Sequence, residues 1–149
     1  VTIESLFSDV HSVYVDTAPF IYYVEKREPY FAKMLNIFKY ITQTNIPIYT
    51  STLTLAEVLN KPFEQNNAKI VSTYRELFYH TADVNTINIT TLIAESAARL
   101  RASYNLKTPD ALHISTAIET KCDVFLTNDK VLQRISEITI WLLEDIALD

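Results

Sequence analysis

Short apolar runs rich in β-branched and aromatic residues alternate, along the whole chain, with segments whose apolar residues recur at helical spacing. No other feature of the sequence limits the fold as much. The runs fall at residues 12–16, at IPIYT (46–50), DVNTI (83–87), DVFLT (123–127) and TIWLL (139–143). When a helix separates each strand from the next, the chain can cross over and return parallel, which covers both faces of the sheet with helices. The runs are mostly apolar, without clean alternation, as burial on both faces requires. The expected fold is therefore α/β, with five strands in a parallel sheet.

The intervening segments carry start and stop signals. PFIYYVE reads as a short helix, and Pro29 is predicted to open a second with Phe31, Met34, Leu35, Phe38 and Ile41 on its apolar stripe. Asn45 turns the chain into strand two. STLTLAEVLN is predicted to be a short helix that stops near Lys61-Pro62, followed by a longer one with Ile70, Tyr74, Leu77 and Phe78 as its stripe. ITTLIAESAARLRASY ends at Asn105, the residue that best replaces glycine in a left-handed cap. Thr108-Pro109 pairs a capping residue with proline at the first helical position, and that helix is expected to reach about Lys121. DKVLQRI makes a short helix before strand five. With 149 residues and no linker, repeat or low-complexity stretch, a single domain over 1–149 is expected.

Composition excludes several functions. Glycine is absent, so neither the Walker loop nor the dinucleotide fingerprint can exist. The formal charge is 13 − 18 = −5, which argues against coating nucleic acid through bulk electrostatics. It leaves room for a nuclease whose acidic site holds metal ions that meet the phosphate. Cys122 is the only cysteine, so no intrachain disulfide or cysteine-based metal cluster can form. VTIESLFSDV lacks the features of a signal peptide and no stretch approaches a membrane span, so a cytoplasmic location is expected.

Four carboxylates stand where parallel sheets gather function, beyond the carboxyl ends of strands. Asp16 ends strand one, Glu57 lies on the helix after strand two, Asp110 starts the helix before strand four, and Asp129 follows that strand. Singly, Asp16, Asp110 and Asp129 are well explained as helix-start charges. Glu57 fits a capping box with Thr54 poorly, because such a helix would have little more than a turn before Pro62. A start near Ser51 or Thr52 instead puts Glu57 inside the helix between Ala56 and Val58. Together the four favour chemistry. Converging carboxylates repel one another unless a cation intervenes, and all-oxygen ligands suit Mg²⁺ or Mn²⁺ rather than zinc. Such a site can activate water and stabilise charge on a phosphoryl group.

VDTAPFIYYVE, TSTLTLAEVL, LKTPDALHISTA and VFLTNDKVL resemble, in order, the four signature segments of PIN domains, especially VapC-type toxin nucleases. The resemblance spans essentially the whole chain. It implies a three-layer α/β/α fold with sheet order 3-2-1-4-5 and metal-dependent cleavage of single-stranded RNA. It also implies an acidic set of Asp16, Glu57, Asp110 and Asp129, with Thr127 as a supporting hydroxyl. A small antitoxin partner and a homodimer are further implications. Many relatives have Asn or Ser two residues after the first aspartate, where this chain has Ala18.

Other residues have plainer readings. His113, one turn beyond Asp110, could contact phosphate or a proton, but beside Ile114 and Ala117 a hydrogen-bonded core histidine is the preferred reading. His11 and His80 have no identifiable partners. Asp123 is expected to be a strand-start acid pointing away from the site, and Cys122 a small buried hydrophobe. Among Tyr22, Tyr23, Tyr30, Phe31 and Phe38, core packing best explains the two phenylalanines, whereas the tyrosines suit RNA stacking or a protein interface. Arg99, Arg101 and Lys107 are candidate phosphate guides.

The alternative to a nuclease is a non-catalytic RNA- or protein-binding module on the same fold. A haloacid-dehalogenase-like phosphatase would need a second acid at Ala18, and a response-regulator receiver an aspartate at the end of strand three, where Asp83 is at the start.

Overall fold

A computed structural model describes residues 1–149. Five parallel strands, β1 (Val13–Val15), β2 (Ile48–Ser51), β3 (Val84–Ile87), β4 (Val124–Thr127) and β5 (Thr139–Leu142), form one sheet in the order β3-β2-β1-β4-β5. The seven α-helices are α1 (Ile3–Leu6), α2 (Thr17–Val24), α3 (Phe31–Thr44), α4 (Thr52–Glu64), α5 (Ala68–Arg75), α6 (Thr91–Tyr104) and α7 (Thr108–Glu119). The predicted sheet, its order and its all-parallel pairing are what the chain adopts.

The strand periodicity of two divides the core. On β1, Val13 and Val15 pack into one apolar cluster with Phe20, Met34, Ile37, Ile41, Val58 and Tyr74 from the helices on that face. Tyr14, pointing the other way, joins Ala97, Leu100, Ala111, Ile114 and Phe125 in the second. All residues of β1 and β4 are buried, which explains why their sequences show no polar alternation.

Several boundaries differ from the sequence reading. Pro29 does not open α3; it lies in the turn before it, after a cis Glu28–Pro29 bond, and the helix begins at Phe31. Leu35 is exposed, and Ile37 takes its place on the buried stripe with Met34, Phe38 and Ile41. Pro62 does not stop α4, which continues to Glu64. A proline this near the end forfeits one intrahelical bond within the last turns, and its buried ring packs there. The expected long helix over Ile70–Phe78 is α5 followed by a π-helical turn at Glu76–His80. Thr108 is the first residue of α7 rather than its cap, which is Lys107, with no side-chain capping bond. The segment after Asp129 is a 3₁₀ helix, Lys130–Arg134. Helix α1 and a 3₁₀ turn at Leu143–Asp145 are elements beyond those expected from the sequence.

Candidate active site

At β1 the strand order reverses: the chain leaves it towards β2 on one side, and β4 lies on the other. This is the switch point at which open parallel sheets form a crevice. An open cleft of about 430 Å³ lies there, and Asp16, Glu57, Asp110, Thr127 and Asp129 all line it, together with Thr17, Ala18, Tyr22, His113, Asn128 and Lys130.

Asp16 leaves β1 with its amide bonded to the Leu126 carbonyl of β4 (3.0 Å). As the N-cap of α2 it accepts from the Thr17 amide through Oδ1 (2.8 Å), and through Oδ2 from the Thr127 hydroxyl (2.8 Å). The Thr127 oxygen in turn accepts the Asp129 amide (3.1 Å). Asp129 caps the following 3₁₀ turn by accepting from the Val131 amide (3.0 Å). Thus two of the acids cap helices and line the cleft at once, and Thr127, wholly buried at the end of β4, ties them together.

Asp110 caps nothing. It stands in the first turn of α7, where burial, followed by the charges of Asp129 and Asp16, pushes its carboxyl above the usual aspartate value. Burial and the charges of two neighbouring carboxylates thus both disfavour the ionised form of Asp110.

Glu57 lies one turn beyond the start of α4, whose true cap is Ser51, accepting from the Thr54 amide. A capping box with Thr54 is thereby excluded. The Glu57 carboxylate accepts from the Thr17 hydroxyl (3.0 Å) and from His113 Nε2 (2.6 Å). The His113 hydrogen bond, working against partial burial, holds Glu57 below the ordinary glutamate value. Burial alone would push His113 down, but Glu57, Asp16 and Asp110 outweigh it and the ring is raised above its usual value.

His113 is the functional-site candidate that the sequence reading passed over. It is buried and hydrogen-bonded, as a core histidine should be, yet its partner is a cleft acid, and Asp16 Oδ1 lies 3.7 Å away. The available signal was its spacing of three from Asp110, which puts both on one helical face. Thr17, Asn128 and Lys130 were also missed, whereas Tyr22, read from the sequence as suited to RNA stacking or an interface, does line the cleft. Lys130 is paired with Glu144 (2.8 Å), and the Asn128 amide donates weakly to the Tyr22 hydroxyl (3.4 Å).

The remaining candidates lie elsewhere. Asp123 accepts from the His11 amide (2.7 Å) at the opposite end of β4, which also gives His11 a partner that its sequence context had hidden. Burial pushes the Cys122 thiol up to about 11, consistent with a buried apolar role. Arg99 pairs with Glu95, and Arg101 donates to the Leu106 carbonyl. Phe38 is core, but Phe31 is half-buried and borders an apolar groove with Tyr23, Leu35 and Leu77.

The donor chemistry fits a hard divalent cation, being all oxygen, with the ionised form of Asp110 disfavoured by burial and by its neighbours' charge. No three Asp, Glu, His or Cys side chains, as they stand, form a group that could hold a metal ion. Mg²⁺ keeps several waters and takes one or two carboxylates, so it needs fewer direct protein ligands than a zinc site does.

The sequence matches the PIN domain family over residues 13–138. The chain belongs to that family. Solved structures with the same fold include VapBC2 from Rickettsia felis bound to a promoter DNA fragment. That match has a TM-score of 0.72 and 18% identity, and covers 88% of this chain and 98% of the other. A toxin–antitoxin complex from Klebsiella pneumoniae matches with TM-score 0.62 and 23% identity, over 90% and 99%. VapC20 of Mycobacterium tuberculosis, described as a toxin that cleaves the sarcin–ricin loop, matches with TM-score 0.65 and 13% identity, over 85% and 98%. A comparison with curated proteins finds none that matches. No helix of this PIN-domain protein is long and apolar enough to cross a membrane.

Proposed function

We propose that this PIN-domain protein is an Mg²⁺- or Mn²⁺-dependent endoribonuclease acting on single-stranded RNA. In this reading the whole chain is one catalytic domain and the toxin half of a toxin–antitoxin pair in the cytoplasm. The observation that carries the reading is the meeting of Asp16, Glu57, Asp110 and Asp129 in one cleft at the switch point, with Asp110 pushed up by burial and then by its acidic neighbours. His113 lies near Asp16 and offsets part of that cost, yet Asp110 stays raised despite it, and a bound cation would offset the rest.

Asp16, Asp110, Asp129 and Glu57 would supply the oxygen ligands. When bound, the cation lowers the pKa of a water molecule and stabilises charge developing on the phosphoryl group. The protein's part is placement. Thr127 and the Thr17 amide fix both oxygens of Asp16, and the cap at Val131 fixes Asp129. Hydrolysis of the phosphodiester in this way leaves 5′-phosphate and 3′-hydroxyl ends. Expected partners are single-stranded RNA, a small antitoxin protein and a second copy of the chain. The antitoxin expectation draws support from the toxin–antitoxin complexes among the fold's relatives.

The deciding experiment is RNA cleavage with and without EDTA. Cleavage should require Mg²⁺ or Mn²⁺ and be abolished by Asp16→Asn or Asp110→Asn; equal cleavage in EDTA would sink the reading. A second reading, a non-catalytic binding module, is favoured by Ala18 on the cleft wall and by the open spacing of the acids. RNA binding without cleavage at any divalent-ion concentration would select it.

A further inference from the structure

We infer that His113 is a positioning residue for Glu57, fixing one carboxylate oxygen so that the other is left to face the cleft. The inference deepens the nuclease reading and rests on it. Glu57 sits on α4 with a side chain of several rotatable bonds, more than a third exposed, and without partners it would sample many rotamers. Both of its bonds, from His113 Nε2 and the Thr17 hydroxyl, go to Oε1 and neither goes to Oε2.

The ring that holds it is itself held. His113 is 3% exposed, and its Nδ1 lies 2.8 Å from the Tyr14 hydroxyl. That hydroxyl is 3.1 Å from Ser51 Oγ. Tyr14 is wholly buried on the central strand and stacks on Phe125 with centroids 5.1 Å apart and planes within 6°. Since Ser51 caps α4, the connections close a loop from the start of α4 through β1 and α7 back to Glu57 on α4. A metal-ligating group is commonly oriented by an outer partner of this kind, which is in turn fixed by its own second hydrogen bond.

Packing alone does not account for the residue. The neighbours of His113 on α7 that fill the core are Ala111, Ile114 and Ala117. An apolar side chain of similar volume would fill the same space without needing partners for two ring nitrogens.

The test measures Mn²⁺ binding by calorimetry on the full chain, with RNA cleavage and metal-free melting alongside. It compares wild type with His113→Met, His113→Gln, Tyr14→Phe and Glu57→Gln. Loss of an orienting partner typically weakens metal affinity about 10- to 100-fold, and His113→Met is expected to fall in that range. His113→Gln keeps an amide donor towards Glu57 and should lie within a few-fold of wild type. In a Glu57→Gln background, adding His113→Met should cost less than about twofold further, because the ring acts through Glu57. If His113→Met does not fold, Tyr14→Phe tests the same chain from its far end and should show a smaller loss of the same kind.

Wild type that binds no Mn²⁺ and cleaves no RNA removes the nuclease reading and the inference with it. Wild type that binds and cleaves, with His113→Met its equal, overturns the inference alone. Equal losses in the Met and Gln variants, or losses that multiply with Glu57→Gln, would make His113 a packing residue and overturn it too.

Discussion

Asp16, Asp110 and Asp129 all stand near helix starts, but they do different things there. Asp16 and Asp129 accept backbone amides as caps, so their carboxylates serve local structure whether or not a metal binds. Asp110 accepts none of the α7 cap bonds, and its carboxyl is raised by burial and by the charges of Asp129 and Asp16. Its two possible contributions to stability have opposite signs. A helix-dipole interaction would favour the charge by about 0.3–1 kcal/mol. Because its folded pKa is raised, ionisation instead costs stability, progressively as pH rises from the ordinary aspartate value through the folded one. We predict that the second effect wins: Asp110→Asn should melt higher than wild type in EDTA at neutral pH. In Mg²⁺ the wild type should gain stability through binding, and the mutant should lose most of that gain. A mutant that melts lower in EDTA and keeps the full Mg²⁺ shift would return Asp110 to a helix-start role.

At the scale of elements, the chain must end its helices without glycine. It does so by placing asparagine or lysine in the left-handed region, at Lys26, Asn45, Asn66, Asn105 and Lys121, with φ between 51° and 58°. Helix α3 ends in a Schellman motif, Ile46 N–H to Ile41 and Asn45 N–H to Thr42, while α6 ends in a single bond from Asn105 to Arg101. Helix α7 ends like α3, with Cys122 bonded to Ala117 and Lys121 to Ile118. Asparagine tolerates this conformation through its short polar side chain, whereas lysine has no such relief. We predict that Lys121→Gly stabilises the protein. The left-handed penalty of about 1–2 kcal/mol is removed, offset by about 0.5–1 kcal/mol of extra chain entropy. The net gain should raise Tm by a few degrees. An unchanged or lower Tm would mean that the left-handed turn after α7 costs nothing with lysine in it.

For the whole molecule, the net charge of −5 and the acidic cleft set what a partner must supply. Lys130, the one lysine on the cleft wall, is engaged by Glu144. A neutralising antitoxin should therefore bring a basic side chain into the cleft while covering apolar surface nearby. The groove bordered by Tyr23, Phe31, Leu35 and Leu77 provides such surface. We predict that the product of the neighbouring gene co-purifies with the chain and blocks RNA cleavage. Binding without inhibition, or no binding, would end the toxin–antitoxin reading while leaving the nuclease reading intact.

Local signals in the sequence were enough for the five strands, the caps at Ser51, Asn45 and Asn105, and the placing of acids at strand ends. Each is written in a few adjacent residues: a period, a capping hydroxyl, a carboxylate after an apolar run. The same local rules misjudged Pro29, which stands exposed in the turn before α3, and Pro62, whose buried ring packs within the last turns of α4. What only the tertiary structure decided lies between distant parts of the chain. Glu57 and His113 are 56 residues apart, and Tyr14 and His113 are 99 apart. No period or spacing brings such side chains together. The order of the strands does, by setting β1 beside both β2 and β4 and closing α4 and α7 over their ends. That is why His113, read along its own helix, looked like one more buried residue.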